Sequence, residues 1–384
     1  MNRSREKIKY REQELSGRYI NVNHIKTLLE KHSANFNISV LGQSVLGEDI
    51  HFIKVGSGDI RILMWSQMHG NESTTTKSIF DLLNRFSDSG DPTVMSILKK
   101  CCIGIIPILN PDGARSYSRL NANGVDLNRD AQDLTQPESQ ILKACFNEFQ
   151  PDFCFNLHGQ RTIFSVGKRS NSATVSFLSP AQDEDRTVTP TRRKAMDLIV
   201  VMNRHLQEMI PDQVGIYDGS FNINCVGDSF QSLGVPTVLF EAGHYLNDYQ
   251  REKTRDLISE AMWLGLTEIA SNEIKGQYEN EYFSIPQNDK LFYDIIIRNV
   301  KLENNKDEIT DVAIQYKEHL ENGLIAFQPV VAKVALLENY FGHSEIDGKG
   351  KIATLKDEKE IKEGDEIDFV LLNQEKLSLY PEIN

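Results

Sequence analysis

The stretch Ile60-Arg61-Ile62-Leu63-Met64-Trp65-Ser66, followed at once by Gln67-Met68-His69-Gly70-Asn71-Glu72, decides how the chain is read. A short, nearly continuous apolar run fits a strand buried on both faces, and the abrupt change to polar residues marks its end. The pattern recurs at residues 101–109, 153–157 and 235–240, with helical periodicity between them at 74–86, 138–149 and 192–209. Buried strands alternating with helices imply an α/β fold, a mixed, mostly parallel sheet flanked by helices. Upstream, residues 1–35 read as helix with Ile25, Leu28 and Leu29 on its apolar face, and 38–58 alternates like a hairpin. Downstream, the polar segment 271–290 precedes strand-like runs at 291–300, 311–316, 324–337 and 367–372. The pattern predicts a larger domain over residues 1–275 and a smaller β-rich accessory domain over 285–384.

Composition narrows the function. The chain has 384 residues, 40% hydrophobic, 25% charged and 8% aromatic, which excludes collagen-like, coiled-coil and largely disordered classes. Lys plus Arg number 42 against 55 Asp plus Glu, a net charge of -13 with no basic run, so no nucleic-acid partner is expected. No apolar run approaches the roughly 20 residues that span a bilayer, and residues 1–17 are dense in charge, so a cytoplasmic protein without a membrane partner is expected. The five cysteines mostly fall inside apolar runs, where a thiol acts as a small hydrophobe, and none is assigned to a disulfide. The mixed-charge run 356–368 reads as a solvated turn and strand edge.

In sheets of this kind ligands bind beyond the carboxyl ends of the strands. Those ends carry His69 and Glu72, Asn110-Pro111-Asp112-Gly113, His158-Gly159 and Glu241-Ala242-Gly243. Two histidines and one glutamate complete the protein shell of a catalytic zinc, the fourth position staying open. His69 and Glu72, three apart where strand turns to helix, share one side of the backbone, and His158 can supply the remote ligand. Alone, H-x-x-E equally describes a surface histidine beside a glutamate at a helix start.

The segment Arg119-Leu120-Asn121-Ala122-Asn123-Gly124-Val125-Asp126-Leu127-Asn128-Arg129 carries the weight. Together with H-x-x-E, N-P-D-G, the strand-terminal His and Glu, and Leu41-Gly42-Gln43-Ser44 through Gly47 and Ile50, it closely resembles the M14 zinc carboxypeptidase family over roughly residues 20 to 270. The resemblance implies that 1–275 is a zinc carboxypeptidase-like catalytic domain in which His69, Glu72 and His158 bind Zn²⁺. It further implies that Glu241 is the general base acting on a zinc-activated water, that Arg119 steadies the oxyanion, and that Asn128 and Arg129 hold the substrate's terminal carboxylate. Arg115, also just after the N-P-D-G turn, competes with Arg119, and Asp130 follows Arg129 where an aromatic is more usual.

The digestive members carry a mobile tyrosine a little before the base; no tyrosine aligns here, and Tyr217 is the candidate substrate-binding residue. The pocket floor falls near Val226 or Gly227, neither acidic, with Asp228 nearby, which argues against selection for Lys or Arg side chains. His244 is expected to border the pocket in a supporting role, and Arg161 and Lys168 read as solvated loop residues rather than substrate contacts. The leading function is a zinc metallocarboxypeptidase acting on peptides. A murein-peptide amidase or other zinc amide hydrolase of small acyl-amino compounds is the alternative, and an inactive binding module the second. Residues 285–384 hold no His/Glu pair at ligand spacing and are expected to play a structural or assembly role, with the oligomeric state left open.

Overall fold

Alternate residues of the run 60–66 feed two different layers, which is why the run is apolar throughout. Ile62 and Met64 pack under helices Thr74–Phe86, Pro190–Met209 and Glu252–Ser271, while Leu63 and Trp65 join Leu142, Cys145, Phe146 and Phe230 from Pro137–Phe149 and Val226–Ser232. The computed structural model describes residues 9–356 and 359–381. In chain order the first strands are β1 (Asn37–Gln43), β2 (Asp49–Val55), β3 (Ile60–Ser66), β4 (Cys101–Ile106), β5 (Phe153–Gly159), β6 (Ser165–Val166), β7 (Val175–Leu178), β8 (Val214–Ile216) and β9 (Thr237–Ala242). All but β6 form one sheet, ordered β1-β2-β4-β3-β5-β9-β7-β8. Its pairs β3/β4, β3/β5, β5/β9 and β7/β8 are parallel, and the other three antiparallel, giving the mixed, mostly parallel sheet flanked by helices that the sequence predicts. The expected hairpin is the antiparallel β1–β2 pair.

The N-terminal helix is shorter than its pattern suggests, spanning Val22–His32 behind an Asn21 cap. Residues 11–20 are not helical. Buried Arg255 donates to the Glu12 and Leu15 carbonyls at 2.8 and 2.6 Å, supplying partners that a helix would otherwise have provided. Residues 1–8 of that expected helix, and 357–358 of the mixed-charge run, lie outside the described residues.

After helix Glu279–Ser284, β10 (Asn288–Asp289) pairs with β6. A second sheet follows, built from β11 (Phe292–Leu302), β12 (Asn305–Glu321), β13 (Leu324–Ala335), β14 (Phe341–Asp347), β15 (Ile352–Thr354), β16 (Phe369–Leu372) and β17 (Glu375–Ser378). Its order is β13-β12-β11-β15-β16-β17, with β14 also along β11. This is the β-rich C-terminal region, and β12 runs well past the predicted 311–316 at both ends. The extra length has a purpose in packing: Leu320, Ile325 and Phe327 of the β12–β13 hairpin close on Tyr19, Tyr117 and Tyr249 of the α/β part. Among the described residues no helix is long and apolar enough to cross a membrane.

Buried Asp294 of β11 sits at this junction. It accepts from the Tyr249 hydroxyl at 3.0 Å and from the Tyr316 amide at 2.7 Å. Burial pushes its carboxyl up to about 6, against the pull of those two donors. The fold therefore prefers the protonated form: this contribution to stability is full below the ordinary carboxyl pKa and is lost as pH rises through about 6. Relative to the parent chain, Asp294→Asn should gain about 3 kcal/mol of stability between pH 4 and pH 7. Urea unfolding at both pH values measures it, and a constant difference would show that Asp294 does not titrate in this window.

Candidate metal centre and its cleft

The centre is assembled by strand register. β3 and β5 are adjacent and parallel, so the turn after Ser66 and the end of β5 finish at one level, and His158 is the register partner of Glu241 on β9. Gly70 makes the first turn possible: a Cβ there would lie 1.9 Å from the Gly113 backbone, so the H-x-x-E and N-P-D-G turns touch main chain to main chain. Asn110 fixes that contact, accepting from the Gly113 amide at 2.9 Å and donating to the Met68 carbonyl at 3.2 Å.

His69, Glu72 and His158 thereby bring one ligand atom each within 4.8 Å of one another. His69 Nδ1 lies 2.9 Å from Glu72 Oε1 and 3.2 Å from His158 Nδ1, which is itself 3.0 Å from Glu72 Oε2. Zinc ligands held at about 2.0–2.2 Å in a tetrahedron lie about 3.4 Å apart, so two imidazole nitrogens crowded against one carboxylate fit that ion. Burial alone would raise the Glu72 carboxyl, but the two histidines outweigh it and hold the group well below its ordinary range.

The other face of His69 shows a residue the sequence reading passed over. Asp126 Oδ1 lies 3.0 Å from His69 Nε2 while also accepting from the Asn128 amide at 2.9 Å. Burial opposes ionisation of Asp126, but the His69 hydrogen bond and charge, with Arg119, hold its carboxyl below the usual range. A histidine ligand needs an acceptor on its far nitrogen to fix its tautomer, and an aspartate in the N-x-N-G-V-D-L-N-R segment was the available signal. That segment is a rigid loop, because Asn121 Oδ1 accepts from the Asn123 and Val125 amides and Gly124 takes a φ of 73°. Arg119 reaches back over the centre, 3.3 Å from Glu72 and 3.1 Å from Asp126. Arg115 turns away to pair with Glu48, which leaves Arg119 as the one of the two beside Glu72.

Glu241 is buried beside these groups. Burial, and next the charge of Glu72, push its carboxyl well above its ordinary range, and its Oε2 has no hydrogen-bond partner among the described residues. Two cavities meet here. The first, about 410 Å³, holds Asn128, Arg129, Gly227 and Asp228 with Glu241 and the three presumptive ligands. Arg129 is exposed, and Asp130 does not compete for it, since its oxygens accept from the Thr135 and Gln136 amides. Asp228 is buried, which raises its carboxyl to about 6, and it accepts from the Asn222 amide. The second, about 710 Å³, takes Lys290, Gln315, Tyr316, Lys317, Glu318 and Val330 from the C-terminal stretch, a larger share in the cleft than the structural role expected of it.

Tyr217, half-buried and edge-on to Phe164 at 5.4 Å, lines both cavities. Arg161, exposed in its loop, also lines the second, whereas Lys168 lines neither. His244 is another difference: it borders neither cavity, and its 1% exposed ring packs on Tyr249 and His343. Small Gly243 before it lets the chain turn inward. Asp126→Ala should weaken Zn²⁺ binding at His69, Glu72 and His158 by about 10- to 100-fold, measured by competition with a chelator. Unchanged affinity would remove Asp126 from the centre.

The zinc carboxypeptidase family, Peptidase M14, matches residues 22–217, just over half of the chain. The matched span includes His69, Glu72, Arg119, Asp126, Asn128, Arg129, His158 and Tyr217, ends before Glu241, and stops short of the predicted limit near 270. Carboxypeptidase SOL1 of Arabidopsis thaliana is 30% identical over 137 residues, 31% of this chain and 28% of that protein. An uncharacterized protein of Zymomonas mobilis is 28% identical over 128 residues, 32% of this chain and 34% of that protein. The chain thus spans about a third or less of these curated relatives. Among solved structures, a metallo-carboxypeptidase from Burkholderia cenocepacia superposes with a TM-score of 0.53 at 16% identity, covering 65% of this chain and 69% of that one. A metallo-carboxypeptidase from Pseudomonas aeruginosa, in complex with (2-guanidinoethylmercapto)succinic acid, gives 0.52 at 18% identity, with 65% and 69% covered. Fold, ordered motifs and a matched span of more than half its length agree: the chain belongs to the zinc carboxypeptidase family.

Proposed function

We propose that the chain is a zinc-dependent metallocarboxypeptidase that hydrolyses the C-terminal peptide bond of peptides. The observation that carries this reading is the meeting of His69, Glu72 and His158 with the unpartnered Glu241 oxygen, at the mouth of a cavity lined by Asn128 and Arg129. His69, Glu72 and His158 would hold Zn²⁺, which when bound would supply Lewis-acid chemistry to an amide carbonyl and to water. Glu241 takes a proton from the attacking water and delivers it to the departing amine nitrogen; its lifted carboxyl suits that exchange. Arg119 donates to the oxygen that becomes negative as the carbonyl is attacked. Arg129 grips the terminal carboxylate with a planar fork, beside Asn128, whose Oδ1 is fixed by the Val226 amide at 2.9 Å. Tyr217 closes over the bound residue from the wall shared by the two cavities. In this reading residues 1–275 carry the chemistry and 285–384 form an accessory unit.

A second reading, an amide hydrolase of small acyl-amino compounds, draws support from the residues of the β12–β13 hairpin that wall the larger cavity. The presence of the full donor set with its base argues against an inactive binding module. Glu241→Gln should retain zinc and fold while kcat falls by about 10²- to 10⁴-fold, since an amide cannot accept the proton. Near-normal turnover of small peptides would overturn the mechanism. Arg129→Ala should lower kcat/KM by about 10- to 100-fold on substrates with a free terminal carboxylate and far less on amidated analogues. Equal losses would show that Arg129 does not read the terminus.

A further inference from the structure

The larger cavity has a charge that the proposed chemistry does not use. It shares Glu72, Arg119, Gly159, Phe164, Tyr217 and Lys290 with the smaller one, so the two meet at the metal centre. With the amine-side residue in the smaller cavity, the acyl side of the scissile amide points into the larger. Six cationic side chains face that space, Arg18, Arg119, Arg161, Arg251, Lys290 and Lys317, against two carboxylates, Glu72 and Glu318.

Three of those cations are already matched: Arg18 by Glu318 at 2.9 Å, Arg119 by Glu72 and Asp126, and Lys317 by Glu366 at 2.9 Å. Arg161 and Lys290 have no ion-pair partner among the described residues. Arg251 is the telling one. It is 2% exposed, spends two donors on the Ala242 and Gln160 carbonyls at 3.2 and 3.1 Å, and leaves Nε without a partner. Burial, and then the neighbouring charge of Arg18, bring its guanidinium down to about 10, although Glu318 and Asp248 pull the other way. A buried cation with an unused donor beside a water-sized space is stabilised by an incoming anion. In a chain of net charge -13, such a local excess also draws anions toward this wall.

We propose that the acyl part of the substrate carries its own carboxylate, bound in the larger cavity by Arg161, Arg251 and Lys290, so that the preferred substrates are small amides with an anion on both sides of the scissile bond. This rests on the hydrolase reading above. Water adds its oxygen to the acyl carbon, the C–N bond breaks, and the proton passes to the nitrogen, giving a dicarboxylate and a free amino acid. Arg161 and Arg251 line the larger cavity alone and Lys290 the seam between the two, so they set substrate choice and leave the bond chemistry to Glu241 and the metal centre.

The test compares N-succinyl with N-succinamoyl amino acids, which differ by one carboxylate against one amide, over a panel of amine-side residues with the zinc-loaded full chain. We expect kcat/KM to favour the succinyl member by about 10-fold or more, chiefly through KM. The ratio should collapse toward unity in Arg161→Gln/Lys290→Gln, whose exposed side chains can be replaced without disturbing the fold, and should fall with rising salt in the parent chain. Arg251→Lys, which keeps the charge but loses the fork, should give an intermediate ratio. Equal kcat/KM for both series would overturn the acyl-anion site and leave the hydrolase reading standing. Turnover of ordinary peptides but of neither series would overturn it as well, and no turnover of any amide would sink the hydrolase reading and this inference together.

Discussion

Everything in the cleft depends on two imidazole nitrogens being held 3.2 Å apart against one carboxylate, in a place from which water is largely excluded. Side chains do not stay in such an arrangement on their own, since each desolvated polar atom costs free energy unless it is matched. The matching comes from the backbone. Parallel strands β3, β5 and β9 end level with one another, so residues distant in sequence arrive at one height, and a turn with no side chain at Gly70 brings a second turn into main-chain contact. Glu72 Oε2 is fixed further by the Gly159 amide at 2.9 Å, which ties the first turn to the end of β5. Ligand geometry is thus a property of the sheet, with helices Thr74–Phe86 and Glu252–Ser271 clamping it from one side.

Much of this was legible in the sequence because the signals were local. Continuous apolar runs marked β3, β4, β5 and β9, and the abrupt polar change at each end located His69, Glu72, His158 and Glu241. What stayed hidden was set by tertiary contact. β7 and β8 are four and three residues long, too short for any period to register, yet β7 turns the sheet antiparallel beside β9. Asp126 sits inside a recognised segment, but its bond to His69 bridges 57 positions and is invisible to spacing. Residues 305–309 are exposed and 311–314 buried, so β12 follows no single period along its length and only its middle looked like a strand.

That long hairpin changes how the C-terminal sheet should be understood. Glu318 near its tip takes hydrogen bonds from Arg18 at 2.9 Å and from the Tyr117 hydroxyl at 2.6 Å, two residues far apart in the sequence of the α/β part. An ion pair flanked by a tyrosine cluster is a poor source of net stability, because desolvating both charges offsets most of their attraction. It is a good source of register: the hairpin can seat only where Glu318 meets both donors. The sheet is therefore docked in one position, and the wall it presents to the cleft has a defined shape.

Charge placement then follows from that docking. Seating Glu318 on Arg18 uses the one acidic group that the hairpin brings close to Arg251, so Arg251 keeps only backbone carbonyls as direct partners. Had the hairpin offered a second carboxylate there, Arg251 would be paired and less open to an incoming anion. Instead the acidic surplus of the chain lies elsewhere, while Arg161 and Arg251 line the larger cavity, which Arg129 does not border. On the proposed reading, a site with positive charge at both ends and a buried carboxyl in the middle would select by the spacing of anions along a ligand.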